Sequence, residues 1–197
     1  MCGEDVADRH DHVVDTERRS LMCTCRGCWL LFTSNGAGGG RYRAVPDRYV
    51  SLGPSVITPD RWDELQIPVS VAFFFHNSTL GSVAAFYPSP AGATESLLPL
   101  DAWERLSADN DVLASMEPDV EALLVRRDAD HGDQGDGEAY LVPIDACYEL
   151  VGEMRRLWKG FGGGTEANEA MDAFFDRLRE RAEGSAGRSS GRSGGPG

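Results

Sequence analysis

The sequence predicts an α+β protein: a small N-terminal module of treble-clef or zinc-ribbon type, followed by an antiparallel sheet with helices packed on one side. Three observations carry this. Four cysteines (Cys2, Cys23, Cys25 and Cys28) crowd the N-terminus. Beyond them, short segments rich in β-branched and aromatic residues recur in pairs, as hairpins do. Toward the C-terminus the apolar residues shift to three- and four-residue spacing, the mark of amphipathic helices.

The elements follow in order. Residues 12–15 and 20–23 read as a short hairpin around Thr16-Glu17-Arg18-Arg19, and residues 28–34 as a short helix ended by Gly36. Residues 41–45 are extended. Thr58 and Pro59 supply an N-cap and a first helical position for a helix over 61–65. Residues 69–76 and 82–87 form the strongest hairpin, and its Phe73-Phe74-Phe75 run marks a strand covered on both sides. The loop at 88–95 (Pro-Ser-Pro-Ala-Gly-Ala-Thr-Glu) is explained by turn chemistry. A helix over 101–106 precedes a second hairpin, 121–127 with 139–142. Ile144, Cys147, Tyr148, Val151, Met154 and Trp158 then define one helix. Thr165 caps the last, with Ala170, Met171, Phe174, Phe175 and Leu178 as its apolar stripe.

Glycine marks the breaks, because it gives up the most backbone freedom on ordering. Seventeen of the 23 glycines lie in 36–40, 132–137, 160–164 and 184–197. The expected organisation is a cysteine-rich metal-binding module at 1–35, an α+β domain at 41–182, and a disordered Gly/Ser/Arg tail at 183–197. The stretch 128–138 holds five acids and no base and reads as a solvated loop. It is not a calcium loop, since Asp133 stands where the invariant glycine belongs.

Charge narrows the function. With 19 Lys+Arg against 32 Asp+Glu, the net charge is −13, which argues against a broad nucleic-acid surface or polybasic lipid attachment. No apolar stretch approaches the roughly 20 residues of a membrane helix, and no signal-peptide pattern opens the chain. The expectation is a cytoplasmic protein without membrane insertion. In that compartment clustered cysteines more often bind metal than form disulfides.

Cys25-Arg26-Gly27-Cys28 is a C-x-x-C pair opening a helix, where unpaired N–H groups favour thiolate. Cys2-Gly3 resembles the second half of a zinc knuckle, whose first cysteine would precede Met1. Taken as they stand, Cys2, Cys23, Cys25 and Cys28 are the candidate metal ligands. Four thiolates match closed tetrahedral zinc, and their softness admits rubredoxin-like iron as the alternative. If a further cysteine lies upstream, it joins Cys2, Cys25 and Cys28 and leaves Cys23 spare. His10 and His12 are alternative ligands, although a pair of loop histidines is more often simply solvated.

Other chemistry is thinly supported. The glycine run after Ser34, flanked by Arg41 and Arg43, lacks the phosphate-loop pattern and reads as a connector. The 161–165 segment likewise reads as a break between helices. A deaminase needs H-x-E and P-C-x-x-C, and neither is present. Cys147 with His76 or His131 makes a conceivable thiol–base pair, yet Cys147 falls on an apolar stripe and reads as a buried core thiol. No catalytic residues are assigned, and the expectation is a non-enzymatic protein.

Three longer strings, 38–46 (GGGRYRAVP), 86–96 (FYPSPAGATES) and 142–152 (VPIDACYELVG), together with the cysteine module, resemble an uncharacterised, mainly actinobacterial family encoded in nickel–iron hydrogenase gene clusters. The resemblance covers nearly all of residues 1–182. A fainter similarity, on Leu65-Gln66-Ile67-Pro68 and the hairpin after it, is to hydrogenase assembly chaperones with a rubredoxin-like module. What the resemblance implies is a metal-binding accessory protein for hydrogenase assembly or maturation, with a hydrogenase subunit or maturation factor as protein partner. Two other classes stay open: a rubredoxin-like electron-transfer protein, and a zinc-finger regulator if Arg18, Arg19, Arg26, Arg41 and Arg43 form a local basic face.

Overall fold

The computed structural model describes residues 2–34, 36–53, 56–65, 67, 69–89, 92–96, 100–108, 110–127, 137–159 and 164–190. Most of the acidic loop, the 160–163 glycines and His131 lie outside them.

The N-terminal hairpin is β1 (Asp11–Asp15) and β2 (Ser20–Thr24). Helix α1 (Arg26–Leu31) follows, two residues earlier than the sequence suggests, because Cys25 sits in extended backbone as its N-cap. A left-handed glycine turn then leads to β3 (Tyr42–Ala44). A side chain at Gly38 would be strained there. Its φ is +60°, and a Cβ would come within 3.1 Å of Phe32 and 3.2 Å of Tyr42, whose rings pack at 5.2 Å. Next come β4 (Val50–Ser51), α2 (Pro59–Glu64), β5 (Val71–Asn77), β6 (Ser82–Ser89) and β7 (Gly92–Ser96). Then follow α3 (Leu100–Ala108), α4 (Asp111–Ala114), β8 (Glu121–Arg126), β9 (Glu138–Pro143), α5 (Ile144–Leu157) and α6 (Thr165–Ser190). Thr58 caps α2 as expected, its carbonyl taking the Trp62 N–H at 3.0 Å. Strands β4 and β7 were not legible, the first because it is two residues long, the second because its turn-forming residues mask it.

Among the described residues the strands form two antiparallel sheets, ordered β2-β1-β3 and β4-β9-β8-β5-β6-β7. The expectation of helices on one side of the main sheet is corrected. Helices cover both faces. On one, Phe73, Phe75, Ala122, Leu124, Tyr140 and Val142 meet Cys147, Leu150 and Met154 of α5 and Phe174, Phe175 and Leu178 of α6. On the other, Ala72, Phe74, Leu123 and Val125 meet Trp62 at α2, Trp103 and Leu106 of α3, and Leu113 of α4. The cause is the Phe73-Phe74-Phe75 run: successive side chains leave opposite faces, so a strand apolar throughout needs cover on both.

Two boundaries also move. β3 pairs with β1, Val13 opposite Ala44, so the N-terminal sheet extends beyond residue 35 into the segment assigned to the second domain. The two parts also share a core, with Val14 and Val45 in the same apolar cluster as α5 and α6. At the other end, α6 continues to Ser190, eight residues into the segment expected to be disordered. Extending an existing helix costs far less than nucleating one.

The N-terminal sheet is pinned by a buried carboxylate. Asp15 is 1% exposed, accepts Arg41 Nη2 at 2.6 Å and Arg41 Nε at 3.1 Å, and takes the Arg18 N–H at 3.0 Å. The Arg41 guanidinium holds the Asp15 carboxyl below its ordinary value, against the opposing effect of burial. An acid with a depressed folded pKa stabilises fully above its unfolded value and loses that contribution as pH falls through the folded one.

Two predictions follow from this architecture. Phe74→Ala, like Phe73→Ala, lowers stability by about 3–5 kcal/mol in urea unfolding; a solvent-facing Phe74 would cost far less. Stability also falls on acidification below about pH 4, and this component of the loss is absent in Asp15→Asn, as thermal melts across pH 2–6 report.

Candidate metal centre

Three of the four predicted cysteine ligands come together. Cys28 Sγ lies 3.4 Å from Cys2 Sγ, and Cys2 Sγ lies 3.6 Å from Cys25 Sγ. All three sulfurs fall within 4.8 Å of one another. Tetrahedral zinc with bonds of about 2.3 Å separates its sulfurs by roughly 3.8 Å, so this donor set fits a thiophilic ion with little movement.

Local structure explains the convergence. Cys25 is the last residue before α1, and its carbonyl accepts the Trp29 N–H at 3.0 Å. Cys28 lies one helical turn on and is buried. Trp29 Nε1 donates to the Val45 carbonyl at 2.8 Å, and Arg26 stacks over the Trp29 ring at 3.9 Å, which fixes the helix. Cys2 reaches the pair from the N-terminal segment, where Gly3 takes a φ of +78° that an L side chain rarely adopts.

Cys23 takes a different place. It is exposed, and its Sγ groups with ring nitrogens of His10 and His12 instead. In a continuous strand, residues 23 and 25 would share a face. Strand β2 ends at Thr24, and the chain turns into α1 at Cys25, so the two thiols part.

The remaining candidates resolve in the same way. Cys147 is fully buried, and burial pushes its thiol well above the ordinary value, which leaves it an inert core residue. Of the five arginines proposed as a basic face, four face acids. Arg26 pairs with Asp11 at 3.1 Å, Arg41 with Asp15 and Glu17 at 2.6 and 3.1 Å, Arg43 with Glu117 at 3.1 Å, and Arg18 with Asp15 at 4.0 Å. Arg41 is thus committed to carboxylates beside the glycine turn and is not held ready for a phosphate.

Sequence reasoning missed one functional-looking residue, Asp145. It lies in the first turn of α5 and accepts His12 Nδ1 at 2.8 Å, while its other oxygen takes the Ala146 N–H at 2.9 Å. Residues 133 positions apart are joined there, a pairing no local pattern announces. Beside them opens a cleft of about 1050 Å³ bounded by the N-terminal module, the start of α5 and the end of α6. Tyr49 in its wall receives Arg181 Nη1 at 2.7 Å, and burial pushes its hydroxyl up to about 12. No helix of the described residues is long and apolar enough to cross a membrane.

Fold and site thus define a class: an antiparallel α+β protein with a cysteine cluster near its N-terminus, compatible with a zinc-binding module. The chain belongs to a family of unknown function (DUF5947), whose family model matches residues 1–182. Comparisons with curated proteins and with solved structures return no match.

The convergence of three thiols carries a direct prediction. Cys25→Ser and Cys28→Ser each abolish retention of a thiophilic cation by this group under competition with a chelating dye, because each removes one of only three sulfurs. Cys23→Ser leaves that retention unchanged.

Proposed function

We propose that this protein is a non-enzymatic, metal-binding accessory protein. Its Cys2, Cys25 and Cys28 thiolates bind zinc, with a fourth ligand beyond these three completing the tetrahedron, and its α+β body binds a protein partner. The observation that supports this most is the approach of three thiols to 3.4 and 3.6 Å at the junction of a hairpin and a helix. Bringing ligands together in an N-terminal segment of few apolar contacts is the usual work of a structural zinc ion, whose binding energy is folding energy.

The resemblance in the three long sequence strings extends the proposal to nickel–iron hydrogenase assembly or maturation, with a hydrogenase subunit or another maturation factor as the partner. The cytoplasm, expected from the sequence pattern, is the proposed place of action. Rubredoxin-like iron is the second candidate for the centre; it asks for four thiolates, and the group here supplies three.

Zinc content and co-purification test the two halves separately. The purified chain is expected to carry zinc and no colour; a red protein with thiolate-to-iron absorption replaces the zinc reading with the iron one. Tagged protein expressed in cells carrying a nickel–iron hydrogenase operon is expected to retain a hydrogenase subunit or maturation factor. Normal hydrogenase processing and activity after deletion of the gene would overturn the assignment to assembly.

A further inference from the structure

The β1–β2 ladder sets His12 directly opposite Cys23. In an antiparallel pair such partners project from the same face, with Cβ atoms about 4.5–5.5 Å apart. Next along that face, Val14 and its partner Leu21 pack into the main core. The apolar face that seats the hairpin on α5 therefore runs out at His12 and Cys23. His10, two residues before His12, joins them there, its ring 4.8 Å from the His12 ring. A ring nitrogen of each histidine and the Cys23 sulfur lie within 4.8 Å of one another.

Hydrogen bonding sets the tautomers. His10 Nδ1 lies 2.9 Å from the Ala7 carbonyl oxygen, and His12 Nδ1 lies 2.8 Å from Asp145 Oδ2. A carbonyl or carboxylate oxygen accepts, so each Nδ1 is the donor. In the neutral imidazole that leaves the lone pair on Nε2. A carboxylate or carbonyl holding the far nitrogen of an imidazole is the arrangement that orients histidine metal ligands and raises their basicity.

We propose that His10, His12 and Cys23 form a second metal site, separate from the Cys2/Cys25/Cys28 centre, for a divalent transition cation of the zinc class. Two imidazoles and one thiolate are a borderline donor set, suited to such a cation and poorly suited to calcium or magnesium. Three protein ligands leave a coordination position for water or a small anionic ligand. His10 and His12 both line the 1050 Å³ cleft, and His10 and Cys23 are exposed, so the cation exchanges with solvent far more readily than one held by the thiolate centre. Asp145 acts as a positioning residue, linking occupancy of the site to the start of α5.

The experiment is titration of the reduced, metal-stripped full-length chain with cobalt, followed by zinc stoichiometry under native mass spectrometry. Two cations are expected. The first brings the strong thiolate-to-cobalt absorption of a multi-sulfur site, and the second adds roughly a third as much, in proportion to its single sulfur. His10→Ala and Cys23→Ser, both at exposed positions that leave the core untouched, each remove the second cation and spare the first. Asp145→Asn weakens the second by about 10–100-fold without altering the first. Cys25→Ser removes only the first, so failure of the zinc reading above is distinguishable from failure of this one. Binding of one cation by the parent chain, two cations still bound by the His10→Ala/Cys23→Ser double variant, or loss of all binding in Cys23→Ser alone would each overturn the proposal.

Discussion

Strand β5 carries Phe73 and Phe75 on one face and Phe74 on the other, and all three rings are buried. Neither side of this strand can meet water without exposing an aromatic ring worth about 1.5–3 kcal/mol of burial. Two layers of helix are therefore required, and each is built around these rings. Phe86 stacks between the outer pair at 5.6 and 5.5 Å, on the side where α5 and α6 lie. Trp103 of α3 stacks on Phe74 at 5.9 Å. The neighbouring strand β8 repeats the demand through Leu123 and Leu124, fully buried on opposite faces.

The placement of α5 decides where the candidate metal centre sits. The N-terminal sheet cannot build a core of its own from so few apolar residues, and it borrows one by placing Val14 and Leu21 against the α5 layer. Polar ties fix the seating. Arg43 donates to the Pro118 carbonyl at 2.6 Å and to Glu117 at 3.1 Å, Thr79 donates to the Thr16 carbonyl at 3.1 Å, and His12 meets Asp145. Within the module, the Asp15–Arg41 pair joins β1 to the end of the glycine turn. Because Asp15 is sealed from water, breaking that pair leaves a buried charge held only by Arg18, which costs more than the pair itself contributes.

The thiolate centre and the His10/His12/Cys23 group stand in different relations to this scaffold. The first depends on a local event, the start of α1 immediately after β2, with Cys2 brought in from the terminal segment. The second depends on strand register and on a helix 133 residues away. That difference accounts for what was legible. The C-x-x-C pair and its helix announce themselves in the sequence, as does the knuckle-like Cys2-Gly3. Asp145 has no signal of its own. The His10-x-His12 pattern facing Cys23 was present, since the hairpin at 12–15 and 20–23 already sets residue 12 against residue 23; the pull of four clustered cysteines toward one site concealed it.

The N-terminal hairpin, the Phe73–Phe75 strand and its partner, the hairpin that flanks the acidic stretch, and the two C-terminal helices are all legible in the order of the residues. Periodicity, caps and turn residues act over a few positions and are readable there. Only the tertiary structure decided that helices cover both faces of the sheet, that β3 belongs to the N-terminal sheet, and that Cys23 leaves the other cysteines for the histidines. Each of those outcomes rests on which surfaces meet across long separations, and burial is settled by the whole packed core and not by any one segment.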